Sequence, residues 1–176
     1  MIPSGNDIRL SLSAAAAYKL MHDAMANDGY AVIPLSGYRS YNEQMAMYGE
    51  QVELVRAEEE VTLEEAKFIA EKTVAEAGSS EHQYGNSIDI SSNGERQTDF
   101  LSTEQGRWMT ANAWKYGFIL RYPAGKSDIT GREGEPWHYR YVGTVHSEYM
   151  NKYKLCLEEY VALCKAECPD AVEEEL

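Results

Sequence analysis

Apolar positions along the chain recur at two periods, and each change of period marks an element. Ser13 to Asn27 is alanine-rich with helical spacing and is ended by Gly29, which predicts a helix, and Ala31 to Leu35 predicts a strand. Ser40-Tyr-Asn-Glu43 is a capping box and predicts a helix from Ser40 to Tyr48 that stops near Gly49. Thr62-Leu-Glu-Glu65 is a second box, opening a helix whose Leu63, Ala66, Ala70, Val74 and Ala77 face inward before Gly78 ends it. Ser102-Thr-Glu-Gln105 opens a third, with Trp108, Met109, Asn112, Ala113 and Tyr116 as its packing stripe and Gly117 as its end. Phe118 to Tyr122 predicts a strand, and Trp137 to Val142 another. Tyr153, Leu157, Val161 and Cys164 recur at helical spacing in a C-terminal amphipathic segment.

Helices early and short-linked strands late predict an α+β domain whose antiparallel sheet carries the functional site. A chain of 176 residues with 44% hydrophobic positions suits one domain, expected over residues 6–168, followed by an acidic tail at 169–176. No repeat interrupts it, and no run of eighteen apolar residues could span a membrane. The net charge of -13 argues against a nucleic-acid partner, because phosphates are met by clustered Lys and Arg. Seven Glu against the single Arg56 between Glu50 and Glu65 read as a solvated helical face.

Candidate chemistry is concentrated in two segments, Ser80-Glu-His-Gln-Tyr-Gly-Asn-Ser-Ile-Asp89 and Glu135-Pro-Trp-His138. Together they supply two imidazoles, one carboxylate ligand and a spare carboxylate, the inventory of a catalytic zinc site with an open position for water. On one helix His82 and Asp89 would stand roughly 10.5 Å apart along the axis, too far to share one ion. On one straight strand they would face opposite sides. The chain must therefore turn between them, and Gly85-Asn86 supplies suitable residue types. In the second segment Pro136 biases Glu135 to an extended conformation, and a kink there could bring Glu135 round to the metal side. His82, Asp89 and His138 are the expected zinc ligands, and Glu135 the expected base. His22 falls in the first helix and is read as structural.

Arg39 stands immediately before the capping box at Ser40, beside the positive end of the predicted helix. A guanidinium among unpaired helix N–H groups is a natural receptor for a carboxylate. Recognition of a chain end of this kind separates exopeptidases from enzymes that cut inside a chain.

These residues resemble the VanY-like D-alanyl-D-alanine carboxypeptidases of bacterial cell-wall metabolism. The likeness rests on Ser36-Gly-Tyr-Arg-Ser40, on Ser-x-His-x-x-Gly-x-x-x-Asp from Ser80 to Asp89, and on Gly117-Phe-Ile-Leu-Arg-Tyr-Pro123. It is completed by Glu135-Pro-Trp-His138 followed by Arg140-Tyr-Val-Gly143. The resemblance implies a D,D-peptidase/hedgehog-like fold and one catalytic Zn2+ held by His82, Asp89 and His138. It further implies Glu135 as base, Arg39 on the substrate's terminal carboxylate, and Gln44, Ser80 and Tyr122 lining the peptide pocket. The implied reaction is removal of the C-terminal D-alanine from a peptidoglycan stem peptide or its precursor. Its rivals are an L,D-carboxypeptidase acting on tetrapeptide stems, a peptidoglycan endopeptidase, and a non-catalytic cell-wall-binding module.

Compartment and assembly stay open at this level. Met1 to Asp7 lacks the basic region and apolar core of a signal peptide. Enzymes of the resembling family commonly work outside the cytoplasmic membrane, so the cell envelope is expected if a leader or anchor belongs to the protein, and the cytoplasm otherwise. Cys156, Cys164 and Cys168 share the C-terminal segment, and an odd count leaves at least one thiol unpaired; burial as small hydrophobes is their expected role.

Overall fold

The computed structural model describes residues 8–167; Cys168 and the acidic tail at 169–176 lie outside the described residues. Four strands form one antiparallel sheet in the order β1-β2-β4-β3, with β1 at Ile33–Ser36, β2 at Ser87–Ser91, β3 at Phe118–Leu120 and β4 at His138–Tyr141. The helices are α1 Leu12–Asn27, α2 Tyr41–Glu58, α3 Leu63–Ala70, α4 Glu104–Asn112, α5 Ser127–Thr130, α6 Thr144–Tyr153 and α7 Leu157–Glu167. The α+β expectation holds, with the sheet carrying the site.

Alternation along β2 divides the sheet into two faces. Ile88 and Ile90 point into the main core, where they meet Tyr18, Met21 and Met25 of α1, Trp108 and Met109 of α4, Phe118 of β3 and Tyr139 of β4. Ser87, Asp89 and Ser91 point the other way and are also buried, because β2 is an inner strand covered on both faces. The Trp108 to Tyr116 stripe is core packing as expected, with the Trp108 and Tyr116 rings stacked at 6.3 Å.

Element ends depart from the sequence pattern where tertiary contacts outweigh it. The second helix does not stop near Gly49 but continues to Glu58, because Val52 and Val55 pack against Ala66 and Ala70 of α3 in a second core. The third helix ends at Ala70, and a series of turns carries Val74 and Ala75 into buried positions instead. Leu63, expected to face inward, is exposed. The cap of α4 is Thr103, whose hydroxyl accepts from the Gly106 amide, because Ser102 is already part of a 3-10 turn. The C-terminal segment is two helices, broken at Lys154 in the left-handed conformation, so Tyr153 belongs to α6 and not to the face of α7. Cys156 is buried and Cys164 half-buried, both as free thiols.

Gly49 sits exposed in the middle of α2, and a Cβ built there meets nothing within 4 Å. Gly49→Ala should raise stability by about 0.5–1 kcal/mol by lowering the entropy of the unfolded chain, read as a higher denaturation midpoint with unchanged slope.

Candidate metal centre

The register of β2 against β4 sets Asp89 directly opposite His138. Both point to the non-core face of the sheet, so two of the three expected ligands meet across one rung of the ladder. The third arrives from the 3-10 turn Glu81–Tyr84, which Gly85 terminates in the left-handed conformation at φ 70°. The turn expected between His82 and Asp89 is therefore present, and it is held from outside: Ser11, the cap of α1, donates to Asn86 Oδ1 at 2.7 Å, and its amide donates to the Gly85 carbonyl.

His82 Nε2 lies 3.4 Å and His138 Nδ1 2.8 Å from the same oxygen, Asp89 Oδ1. One ligand atom from each of the three residues falls within 4.8 Å of the others, and all three side chains are buried. Tetrahedral bonds of about 2.0–2.2 Å place ligand atoms roughly 3.3–3.6 Å apart, so this nitrogen, oxygen, nitrogen set fits zinc. The outer nitrogens support the same reading, since metal-bound imidazoles are oriented by an acceptor on the second nitrogen. His82 Nδ1 is 2.7 Å from the Gly37 carbonyl. Gly37 can be no other residue there, because a Cβ would lie 2.5 Å from the Arg9 carbonyl oxygen. His138 Nε2, buried and otherwise unpartnered, faces Glu81 Oε2 at 3.6 Å.

Glu81 organises the charges behind the cluster. Its carboxylate accepts from Arg121 Nε at 2.6 Å, Arg140 at 2.8 Å and Ser87 Oγ at 3.3 Å. Arg121 in turn clamps both oxygens of Glu158 on α7, at 3.1 and 2.6 Å. Burial alone would raise the Glu81 carboxyl, but the facing His138 imidazole and the two guanidiniums outweigh it and hold the group at about 2. Arg96 contributes from the loop after β2, placing a guanidinium nitrogen 3.1 Å from Asp89 Oδ2. It fixes the oxygen that does not face the imidazoles.

Glu135 reaches the site through the kink at Pro136, its amide bonded to the Tyr122 carbonyl and its Oε2 4.0 Å from His138 Nδ1. Burial raises its carboxyl above the ordinary value, against the pull of His138. The Tyr122 ring stacks on His138 at 5.4 Å between centroids, and burial pushes its hydroxyl up to about 12. Arg39 follows the expected pattern: Ser40 caps α2 with both bonds of the capping box, and the Arg39 amide donates to the His82 carbonyl. Its guanidinium Nε is buried without a partner. Gln44 is almost wholly buried, with its amide nitrogen bonded to the Ala75 carbonyl at 2.5 Å, so it also secures the cleft wall.

All eight residues singled out in the sequence (His82, Asp89, His138, Glu135, Arg39, Gln44, Ser80 and Tyr122) line one cleft. Sequence reasoning missed Glu81, Arg96, Arg121 and Arg140. Glu81 was discoverable, as an acid inside the metal segment beside His82. Arg121 and Arg140 stand in motifs of the resemblance, but Glu81, their shared partner, lies far away in sequence; Arg96 is only seven positions from Asp89, in a loop whose pattern does not pair them.

Two facing strands and the turn before them bring two histidines and an aspartate to one point, with a glutamate beside them, the donor set of a zinc-peptidase class of site. The chain belongs to the VanY family: residues 7–144 match it under the description D-alanyl-D-alanine carboxypeptidase. It is 39% identical over 156 residues to a D-alanyl-D-alanine carboxypeptidase of Enterococcus faecalis (strain ATCC 700802 / V583), covering 89% of this chain and 57% of that protein. The structure of a vancomycin-resistance D,D-pentapeptidase VanY from a VanB-type cassette, in complex with Zn(II), superposes with a TM-score of 0.79 at 37% identity, over 91% of this chain and 88% of the other. VanYB in complex with D-alanine-D-alanine gives 0.82 at 38% identity, over 92% and 87%. The chain spans about half the length of the curated relatives it matches, 51%, 57% and 47% of three of them.

Two outcomes are expected from the charges behind the cluster. Glu81→Ala should weaken zinc binding about 10–100-fold, measured by competition with a chromogenic chelator. In metal-free protein, the stability contributed by Glu81 is complete above its ordinary value of 4.5 and is lost as pH falls toward about 2. Glu81→Gln should therefore be less stable at neutral pH and show a shallower decline over that interval in acid titrations of unfolding.

Proposed function

We propose that this protein is a zinc-dependent carboxypeptidase that removes the C-terminal D-alanine from peptidoglycan stem peptides, with D-alanyl-D-alanine ends preferred. The observation that carries the reading is one cleft holding both halves of an exopeptidase, the His82–Asp89–His138 cluster with Glu135 beside it and an unpaired buried guanidinium nitrogen on Arg39. The match of family and the D-alanine-D-alanine complex of VanYB support the choice of substrate.

His82, Asp89 and His138 would hold the ion. Zinc, when bound, lowers the pKa of a water in its open position and polarises a carbonyl there. Glu135 accepts the proton of the attacking water and returns it to the departing amine. Burial suits it to both tasks, since a carboxyl raised above its ordinary value carries a proton more readily between them. Arg39 receives the terminal carboxylate through a charge-assisted bond, which fixes the last residue and excludes blocked chain ends. Tyr122, held against His138, Ser80 and Gln44 shape the walls around the penultimate residue. Action on the wall itself puts the work at the bacterial cell envelope, and action on a soluble precursor puts it in the cytoplasm. Among the described residues no helix is long and apolar enough to cross a membrane.

Mass spectrometry of muropeptides ending in D-Ala-D-Ala, or in a single D-Ala, tests this reading. One D-alanine should be lost from the pentapeptide, and the loss should stop with a chelator. Glu135→Ala should lower kcat by about 10²–10⁴ while zinc stays bound. Arg39→Ala should lower kcat/KM by roughly 10–100-fold on free chain ends, with amidated ends already poor substrates for the wild type. Cleavage of the tetrapeptide alone would transfer the assignment to an L,D-carboxypeptidase. Undiminished cleavage of amidated ends would make the protein an endopeptidase.

A further inference from the structure

The metal cleft does not end at its own rim. A second open hollow of about 490 Å³ adjoins it, and the two share Ser79 and Arg132 in their linings. The hollow lies between the turns that follow α3 and the loop that delivers Glu135, and it is otherwise walled by Glu71, Lys72 and Glu76 among others. Arg39 fixes the chain end inside the first cavity, so the upstream part of a stem peptide must leave the cleft. This hollow continues the cleft from its rim.

Arg132 stands where the two spaces join. Its guanidinium lies 5.7 Å from the centroid of the Tyr122 ring, whose own plane stacks on His138. It is half-buried, and among the described residues no carboxylate lies within ion-pair distance of it. Arg39 is set aside for the chain end, and the remaining arginines around the cluster are committed: Arg96 to Asp89, Arg121 to Glu81 and Glu158, Arg140 to Glu81. Arg132 is therefore held in place by an aromatic face with its hydrogen-bond donors unspent, the condition of a residue that waits for an anion.

The hollow as a whole is not an anion site. Arg132 and Lys72 oppose Glu71 and Glu76, so its formal charges sum to zero, and it suits a group that carries both signs. In stem peptides the residue before the terminal D-alanines is a diamino acid. When that residue is diaminopimelate, its distal carbon bears a carboxylate and an ammonium together; when it is lysine, only the ammonium is present. We propose that Arg132 is a specificity residue, receiving the distal carboxylate of a diaminopimelate at the third position while the acidic wall faces the neighbouring ammonium. This deepens the carboxypeptidase reading and rests on it.

The test compares four synthetic pentapeptides: one with diaminopimelate, one with its distal carboxylate amidated, one with lysine, and one with diaminopimelate whose preceding γ-linked D-glutamate is amidated. Wild-type enzyme should prefer the first and fourth over the second and third by about tenfold in kcat/KM, carried mainly by KM. Arg132→Gln should narrow that ratio to within about twofold, and Arg132→Lys should restore part of it. Equal rates on all four, or a ratio unchanged in Arg132→Gln, would overturn the proposal; so would a preference that follows amidation of the glutamate. The same four peptides titrated calorimetrically into zinc-loaded Glu135→Ala give the ratio as binding constants. If wild-type protein cleaved none of them, the carboxypeptidase reading would fail, and the binding ratio would still decide the role of Arg132.

Discussion

One rung of the β2–β4 ladder, Asp89 opposite His138, is the constraint on which the rest of the structure depends. Strand alternation then dictates nearly everything around it. On one side of the same strands Ile88 faces Tyr139 in the core; on the other, Ser87 faces Arg140, and Glu81 spans both. A slip of one residue would turn the ligands into the apolar core and the core residues into the cleft, so the hydrophobic pattern that folds the sheet also assembles the metal cluster.

Burying this much charge is unfavourable unless each group is paired, and the pairing explains how distant parts of the chain serve one site. The path from His138 through Glu81 and Arg121 to Glu158 links the metal face to α7, far along the chain. Lys126 and Glu159 make a second tie between the loop carrying α5 and the start of α7, where Glu159 also accepts from the Cys156 amide. The C-terminal helix thus supports the site electrostatically without lining it. The smaller core of Val52, Val55, Ala66 and Ala70 has a similar remote role, bracing the turns whose Ala75 carbonyl is held by Gln44.

The global and local charges point in opposite directions. The chain carries a formal net charge of -13, much of it on α2, α3 and the C-terminal tail, yet Arg39, Arg96, Arg121, Arg132 and Arg140 converge on one face of the sheet. Three of these offset buried or half-buried carboxylates. Arg39 and Arg132 do not, and they stand at different places in the cleft system.

The sequence by itself determined the chemistry and the class of fold. Two histidines and an aspartate with a turn between the first and the last of the loop, a proline-kinked glutamate, and an arginine before a capping box are local facts, set by backbone sterics and side-chain donor types. The α1 helix, the capping boxes at Ser40 and Thr62, and the strands around Asp89 and His138 were legible for the same reason. Only the tertiary structure decided that α2 runs through Gly49, that Thr103 and not Ser102 caps α4, and that Glu81, Arg96, Arg121 and Arg140 belong to the site. Propensity and capping act over a few residues and are worth about 1 kcal/mol each, so packing of Val52 and Val55 can override a glycine. An ion pair between residues 37 positions apart leaves no periodic trace at all, because its partners are brought together by the sheet and not by the chain between them.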